Sequence, residues 1–527
     1  MVLFLPIIGH PNLSVRLNCL NKYLLIFMCL AMCYAVDSTA QFMDAKAANE
    51  HFKHRNYSHA IPIYRKLLQK EKFNIEFNHK IGICYLNSNI DKTKAIPYLK
   101  RVINQPKFDA EVYYDLAKAY QFAHSFNEAI EYYKIYDSIS EGKKHDEVAR
   151  KLETCETAKI LIKNPIDVTF ENLGELINSA KPDYYPFVAK DESYIVFTSR
   201  RTGAIEFDGF YQSDIYYSEN INGSFQKAKQ IGALVNSEFD DQVVGLSNDA
   251  RKLFIYFDNI KSYGDIYTSV RINKRFERLV KMGSTVNASS LETSASISAD
   301  GSTLFFTSDR PGGYGGHDLY MTRKLPNNEW ALPQNLGPAL NTQYNEDFPT
   351  LSGDGQTLYF CSQGHNSMGG YDIFTSSWDY ETNSWSAPEN IGYPINTAYD
   401  NMNISFSEDG YRAYISQWRQ DGFGDLDVYR IIFPKEFIIR MQLPTADQEN
   451  PLILDAYISI EGELLKQPLN FSANRNTGFY TIVINSPGSY ELFIEADGYK
   501  TYTEHIDFSN SEYSEPMTLK IIKLQPE

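Results

Sequence analysis

Four groups of residues in this sequence could do chemistry, and each tests a different reaction class. Ser367 lies in Gly364-His365-Asn366-Ser367-Met368-Gly369. A hydrolytic serine sits at the centre of Gly-x-Ser-x-Gly on a strand-to-helix turn, and this segment misses that spacing by one residue. Turn chemistry is the expected role. His317 and His365 occupy related glycine-rich stretches, with Asp318 and Asp372 nearby. A metal ion needs more convergent ligands than these, so both histidines are expected to be polar turn residues. Asp421, Asp425 and Asp427 surround Gly422 and Gly424. Carboxylates so spaced could hold calcium, but the EF-type ligand spacing is missing and turn capping explains them equally well. Of the six cysteines, only Cys84, Cys155 and Cys361 lie beyond residue 40, without metal-ligand spacing. No catalytic, cofactor-binding or metal-binding set is assigned, no cofactor is expected, and the chain reads as non-enzymatic.

The elements that would position these residues repeat. From about 164 to 434, a unit seen most fully in Ser296 to Tyr320 and again in Thr350 to Phe374 recurs, and its Asp-Ile-Tyr-like element begins at Asp214, Asp265, Asp318, Asp372 and Asp427. The spacings of 51, 53, 54 and 55 residues match one four-stranded blade. Asp-Gly at Asp300-Gly301, Asp354-Gly355 and Asp409-Gly410 makes tight hairpin turns, because glycine tolerates positive φ and aspartate bonds its own backbone. A second element, Asn-Leu-Gly followed by a further Asn, places that last Asn at Asn178, Asn236, Asn287, Asn341 and Asn396. All ten residues are expected to be structural repeat positions. The Asn element precedes the first Asp element, and none follows Asp427. The strand around Val168 to Leu173 should therefore complete the last blade, closing a five-bladed β-propeller without exposed edges.

Before this region, 41–163 is helical and periodic. Ala60, Ala95 and Ala129 recur at 35 and 34 residues, each followed by apolar side chains at helical spacing. That is the period of a tetratricopeptide α-solenoid, with 145–162 as a capping helix. After it, 435–527 alternates short strand patterns with turns, as in Tyr480 to Ile484 and Tyr490 to Ile494, and predicts a small β-sandwich. The fold class is thus multidomain, α plus all-β.

The first 40 residues hold Lys22 and an apolar run from Tyr23 to Ala35, then Ser38-Thr39-Ala40. The run is too short to span a membrane and reads as a secretory leader cleaved after Ala40. Leu30-Ala31-Met32-Cys33 offers an alternative, a lipobox with Met32 where a small residue belongs, which would make Cys33 the lipidated residue. The 527 residues carry a net charge of −16, which disfavours nucleic acid and anionic membranes as general partners.

The propeller motifs resemble the WD-like repeats of TolB and of propeller-capped peptidases, and the last region resembles a carboxypeptidase regulatory-like domain of transthyretin topology. Their order is similar to that of a family of Bacteroidota envelope proteins that end in an OmpA-like, peptidoglycan-binding domain. Here the sequence stops where that domain would begin. The resemblance implies a non-catalytic scaffold of the periplasm or outer membrane that binds other envelope proteins, as type IX secretion and gliding lipoproteins do. Two alternatives stay open: a glycan-binding or peptidoglycan-binding protein gripping its ligand through Trp330, Trp378, Trp385 and Trp418, and an accessory propeller module of a peptidase system. A small-molecule ligand is not expected.

Overall fold

The computed structural model describes residues 43–88, 90–202, 211–259, 262–434, 437–443, 456–462, 465, 469–471, 480–484, 488–508 and 517–526. The leader, with Cys33 and Ala40, lies outside them, as do Gly478, Phe479 and Pro487 of the strand patterns. Among the described residues no helix is long and apolar enough to cross a membrane. The chain divides into two compact units, one of 1–166, 172–405 and 414–429, the other of 167–171, 406–413 and 430–527.

Among the described residues of the first unit, seven helices precede the sheets: α1 (43–53), α2 (Tyr57–Lys70), α3 (Ile75–Leu86), α4 (Ile96–Ile103), α5 (Glu111–Phe122), α6 (Phe126–Ile139) and α7 (His145–Lys163). The recurrent alanines Ala60, Ala95 and Ala129 are fully buried. Close approach is needed where α3 meets α4, since a Cβ on Gly82 would stand 2.5 Å from Leu99, itself fully buried. Asn74 caps α3 by accepting from the Phe77 amide at 3.0 Å. A buried polar chain joins the last three helices: Tyr133 donates to Gln121 at 3.0 Å, and Gln121 donates to Thr154 at 3.2 Å. Such a chain fixes helix register, because any slip would strand a buried donor.

Five antiparallel sheets follow in succession, the mark of a propeller-like domain. The first holds Asp183–Val188, Tyr194–Ser199, Asp214–Ile221 and Lys229–Gln230, and the next three repeat that order from Asp240, Glu292 and Glu346. The fifth is built from Ser405–Phe406, Arg412–Gln417 and Asp427–Ile432, and its outer strand is Thr169–Asn172 from the start of the region. Leu173 donates its amide to the Val428 carbonyl at 3.3 Å, so the two ends of the repeat region are bonded to each other. Gly301, Gly355 and Gly410 have φ of 71°, 75° and 70°, the left-handed geometry expected of the Asp-Gly hairpins.

In the second unit, Phe437–Gln442 pairs antiparallel with Tyr480–Ile484 and parallel with Met517–Ile521, and a second sheet runs Leu469–Phe471, Ala456–Gly462, Ser489–Ala496, Tyr502–Asp507. Ile458, Ile460, Ile482, Leu492 and Ile494 pack in one core shared by both sheets, which is the organisation of a sandwich.

Candidate functional site

The repeat signature is spent on internal bonding. Asp318 accepts from the Tyr314 amide at 2.5 Å and from the Asn335 side chain at 2.8 Å; Asp372 accepts from Met368 and Asn390, and Asp427 from Phe423 and Asn172. Asp214 has Gln230 in the same place, and Asp265 has Lys281. The recurrent asparagines act as detached pieces of strand. Asn341 accepts from the Leu319 amide at 2.7 Å and donates to its carbonyl at 3.0 Å. Asn178 does the same to Val428, Asn236 to Ile215, Asn287 to Ile266 and Asn396 to Ile373. Sequence reasoning missed a third series. Five residues after each asparagine stand Asp183, Asp241, Glu292, Glu346 and Asn401, all buried, the first four at the head of an inner strand and Asn401 four residues before one, and that fixed spacing was the available signal. Arg201 and Arg310 neutralise Asp183 and Glu292.

The side chains singled out for chemistry are likewise engaged. Ser367 Oγ is fully buried and accepts from Arg150 at 2.8 Å. His365 donates from Nε2 to the Leu340 carbonyl at 2.9 Å, and burial holds its pKa below the usual value. The His317 backbone amide donates to Asn345. Asp425 accepts from the Leu426 amide, and burial pushes its carboxyl up to about 7 against the lowering pull of that bond and of Lys92. Among the described residues no three His, Cys, Asp or Glu side chains converge as a metal cluster.

What the fold does build is a seam between the helices and the sheets. Arg150, on α7, spreads its guanidinium over one hairpin of the fourth sheet. One terminal nitrogen donates to the Gln363 and Gly364 carbonyls and to Ser367, at 2.7, 2.8 and 2.8 Å, and the other donates to the His365 carbonyl at 3.0 Å. It also lies 4.9 Å from the centre of the Tyr344 ring. Met368, from the same hairpin, is fully buried within the helical core, and Phe122 of α5 meets Tyr399 at 4.8 Å. Beside this contact lies a cavity of about 740 Å³, within the ordinary range for small-ligand sites. Its helical wall carries Lys92, Lys118 and Lys151; its sheet wall carries Arg200, Asp400, Tyr185 and Trp418.

No protein-family model matches the chain, and no curated protein matches it. Among solved structures, TolB from Acinetobacter baumannii is similar at 12% identity over 61% of this chain and 62% of that one, with a TM-score of 0.29, so the match spans less than two thirds of its length. An α-L-arabinofuranosidase from Lactobacillus brevis is similar at 13% over 49% and 92%, TM-score 0.34. A β-1,2-mannobiose phosphorylase from Listeria innocua, in its β-1,2-mannobiose complex, is similar at 9% over 50% and 96%, TM-score 0.35.

The cavity's electrostatics follow from its residues. Lys92 Nζ donates to the Leu86 and Ser88 carbonyls at 2.8 and 2.7 Å, closing the C-terminal end of α3 as a cation should. Burial pushes its pKa down to about 8, partly offset by Asp400. Arg200 is held by the Tyr184 hydroxyl at 3.2 Å and by Asp240 at 3.6 Å. On the floor, Tyr185 takes φ of 52° at a β-bulge and packs 4.6 Å from Phe348, which has φ of 50° at the matching bulge of the fourth sheet. Left-handed aromatic residues are costly, and here the packing of the two rings against each other helps hold them. Of the tryptophans named for glycan stacking, Trp378 packs on Trp385 at 5.1 Å, and Trp418, which lines the cavity, stacks on Tyr399 at 5.6 Å.

Proposed function

We propose that this chain is a non-catalytic scaffold of the cell envelope, exported to the periplasm, that binds other envelope proteins. In this reading the helices are a tetratricopeptide array, the five sheets are the blades of a WD-like propeller of TolB type, and the last unit is a regulatory-like sandwich that spaces or docks. One observation carries it: the Arg150 seam with Met368 fuses two repeat structures into one body, while the recurrent polar side chains are consumed in holding the repeats. A fused pair of repeat folds offers extended surface for binding other proteins. Attachment to the outer membrane, and a place in type IX secretion or gliding, rest on the family resemblance of domain order.

The test is an affinity pull-down with residues 41–527 from envelope extract. Repeated capture of the same envelope proteins, competed by untagged chain, is the expected result. Recovery of no protein, with retention on purified peptidoglycan or polysaccharide instead, would overturn the scaffold in favour of glycan binding.

A further inference from the structure

The cavity in the first unit is cationic in a chain of net charge −16. Four cations line it, Lys92, Lys118, Lys151 and Arg200, against one carboxylate, Asp400. Two of the four are accounted for: Lys92 closes α3, and Arg200 is bound to Tyr184 and Asp240. Asp400 is also engaged, one of its oxygens accepting from the Tyr371 amide at 3.0 Å. Lys118 on α5 and Lys151 on α7 are different. Among the described residues neither ammonium has a hydrogen-bond acceptor or a carboxylate at ion-pair distance, and Lys118 has only the Tyr114 ring at 5.9 Å. Both line a space that also offers the Gln363 side-chain amide.

Crowding like charges in a half-buried space costs free energy unless a counter-charge enters. The cost is visible in Lys151, whose pKa is lowered by burial first and by Lys118 second, with Asp400 and Glu147 pulling the other way. Lys118 lowers Lys92 as well. Nothing in the packing of α5 or α7 requires an ammonium at either position. Both are on helices already held by the buried Gln121, Tyr133 and Thr154 chain and by Arg150.

We propose that this cavity is a binding site for the oxyanion of a small polar ligand, a phosphate or a carboxylate, held between the ammonium groups of Lys118 and Lys151. Lys92 and Arg200 supply fixed positive potential around it, the Gln363 amide bonds its neutral atoms, and Tyr185 and Trp418 wall the rest. Phosphate could come from a free phosphate compound and carboxylate from a sugar acid, and the two are separated by choice of probe.

The experiment is calorimetric titration of residues 41–527 with inorganic pyrophosphate and, separately, with digalacturonate, its methyl diester serving as the uncharged control. At least one anion should bind saturably with a Kd below about 1 mM, weaken as salt rises, and leave the uncharged control unbound. Pyrophosphate alone would point to a phosphate compound, and digalacturonate alone to a sugar acid. The Lys118→Gln, Lys151→Gln double variant should lose at least 10-fold in affinity, while its unliganded melting temperature stays level or rises because repulsion is relieved. That pairing separates a lost site from a lost fold. Absence of saturable binding by both anions up to 10 mM, or equal binding by the double variant, overturns the proposal.

Discussion

Replacing Arg150 tests whether the helices and sheets of the first unit are one body. Its guanidinium serves four acceptors on one hairpin, and two of them, the Gly364 carbonyl and Ser367 Oγ, belong to buried residues. Arg150→Met keeps the aliphatic stem but removes a charge-assisted bond from each, at about 1.5–3 kcal/mol, leaving the Gly364 carbonyl only the Ser367 amide at 3.3 Å and Ser367 Oγ only the Gln363 carbonyl at 3.4 Å. The other two regain water at little cost, so the net loss is on the order of 3 kcal/mol. Unfolding entropy of about 2 cal/mol/K per residue, over the roughly 370 described residues of this unit, gives about 0.8 kcal/mol/K and a melting shift of roughly 4 °C. Arg150→Lys is the sharper probe. It keeps the charge but replaces a planar fork with a point donor, which reaches one or two of the four acceptors, so it should recover less than half of the loss. Scanning calorimetry of residues 41–527, with limited proteolysis of the 164–168 connection, reads both quantities. A shift below 1 °C for the methionine variant with unchanged proteolysis would show that the seam does not join the two parts.

Three further outcomes follow from the repeat bonding. Asn178→Ala removes three hydrogen bonds at the junction of the repeat region's two ends, two to Val428 and one to Asn172, and should cost about 2–4 kcal/mol; Asn396→Ala removes the equivalent bonds within the fourth sheet and should cost a similar amount. Urea unfolding checks both, and a cost under 1 kcal/mol for Asn178 would refute its role in closure. Asp372 is fully buried, its Oδ1 lacks a partner, and burial raises its carboxyl to about 8, so the folded form holds a proton that the unfolded chain has released. Stability from this group is therefore full below about pH 4 and falls as pH rises toward 8, by up to about 1.4 kcal/mol per pH unit. Asp372→Asn should flatten that slope, and an unchanged slope in urea midpoints between pH 5 and 8 would contradict the assignment. Gly245→Ala drives a Cβ to 1.9 Å from the Ala295 carbonyl oxygen of the neighbouring sheet, which is backbone and cannot turn aside, and should lower the melting temperature by several degrees.

The sequence showed the helical part, the propeller-like repeat and the strand-rich end because each rests on periodicity: alanines 34 to 35 residues apart, Asp and Asn elements 51 to 55 apart, alternation of apolar residues beyond 435. The same logic read Ser367, His365 and the five aspartates as turn and strand-end residues; Asp372 and Asp427 accept from amides four residues before them, whereas Ser367 is held by Arg150 and His365 bonds the Leu340 carbonyl. Periodicity is silent where a repeat departs from itself. Arg150 has no counterpart in the other helices, and its partners lie 213 to 217 residues away, so no spacing could pair them. The buried acids were missed because they vary between Asp, Glu and Asn, and identity was searched for rather than burial at a fixed offset. The cationic cavity was hidden for a third reason. Lys92, Lys118 and Lys151 belong to no motif or repeat spacing, and their charges come together only where the helices face the sheets. In the first unit the repeats meet something unlike themselves where α5 and α7 face the ends of several sheets, and no repeat spacing marks the residues that line that junction.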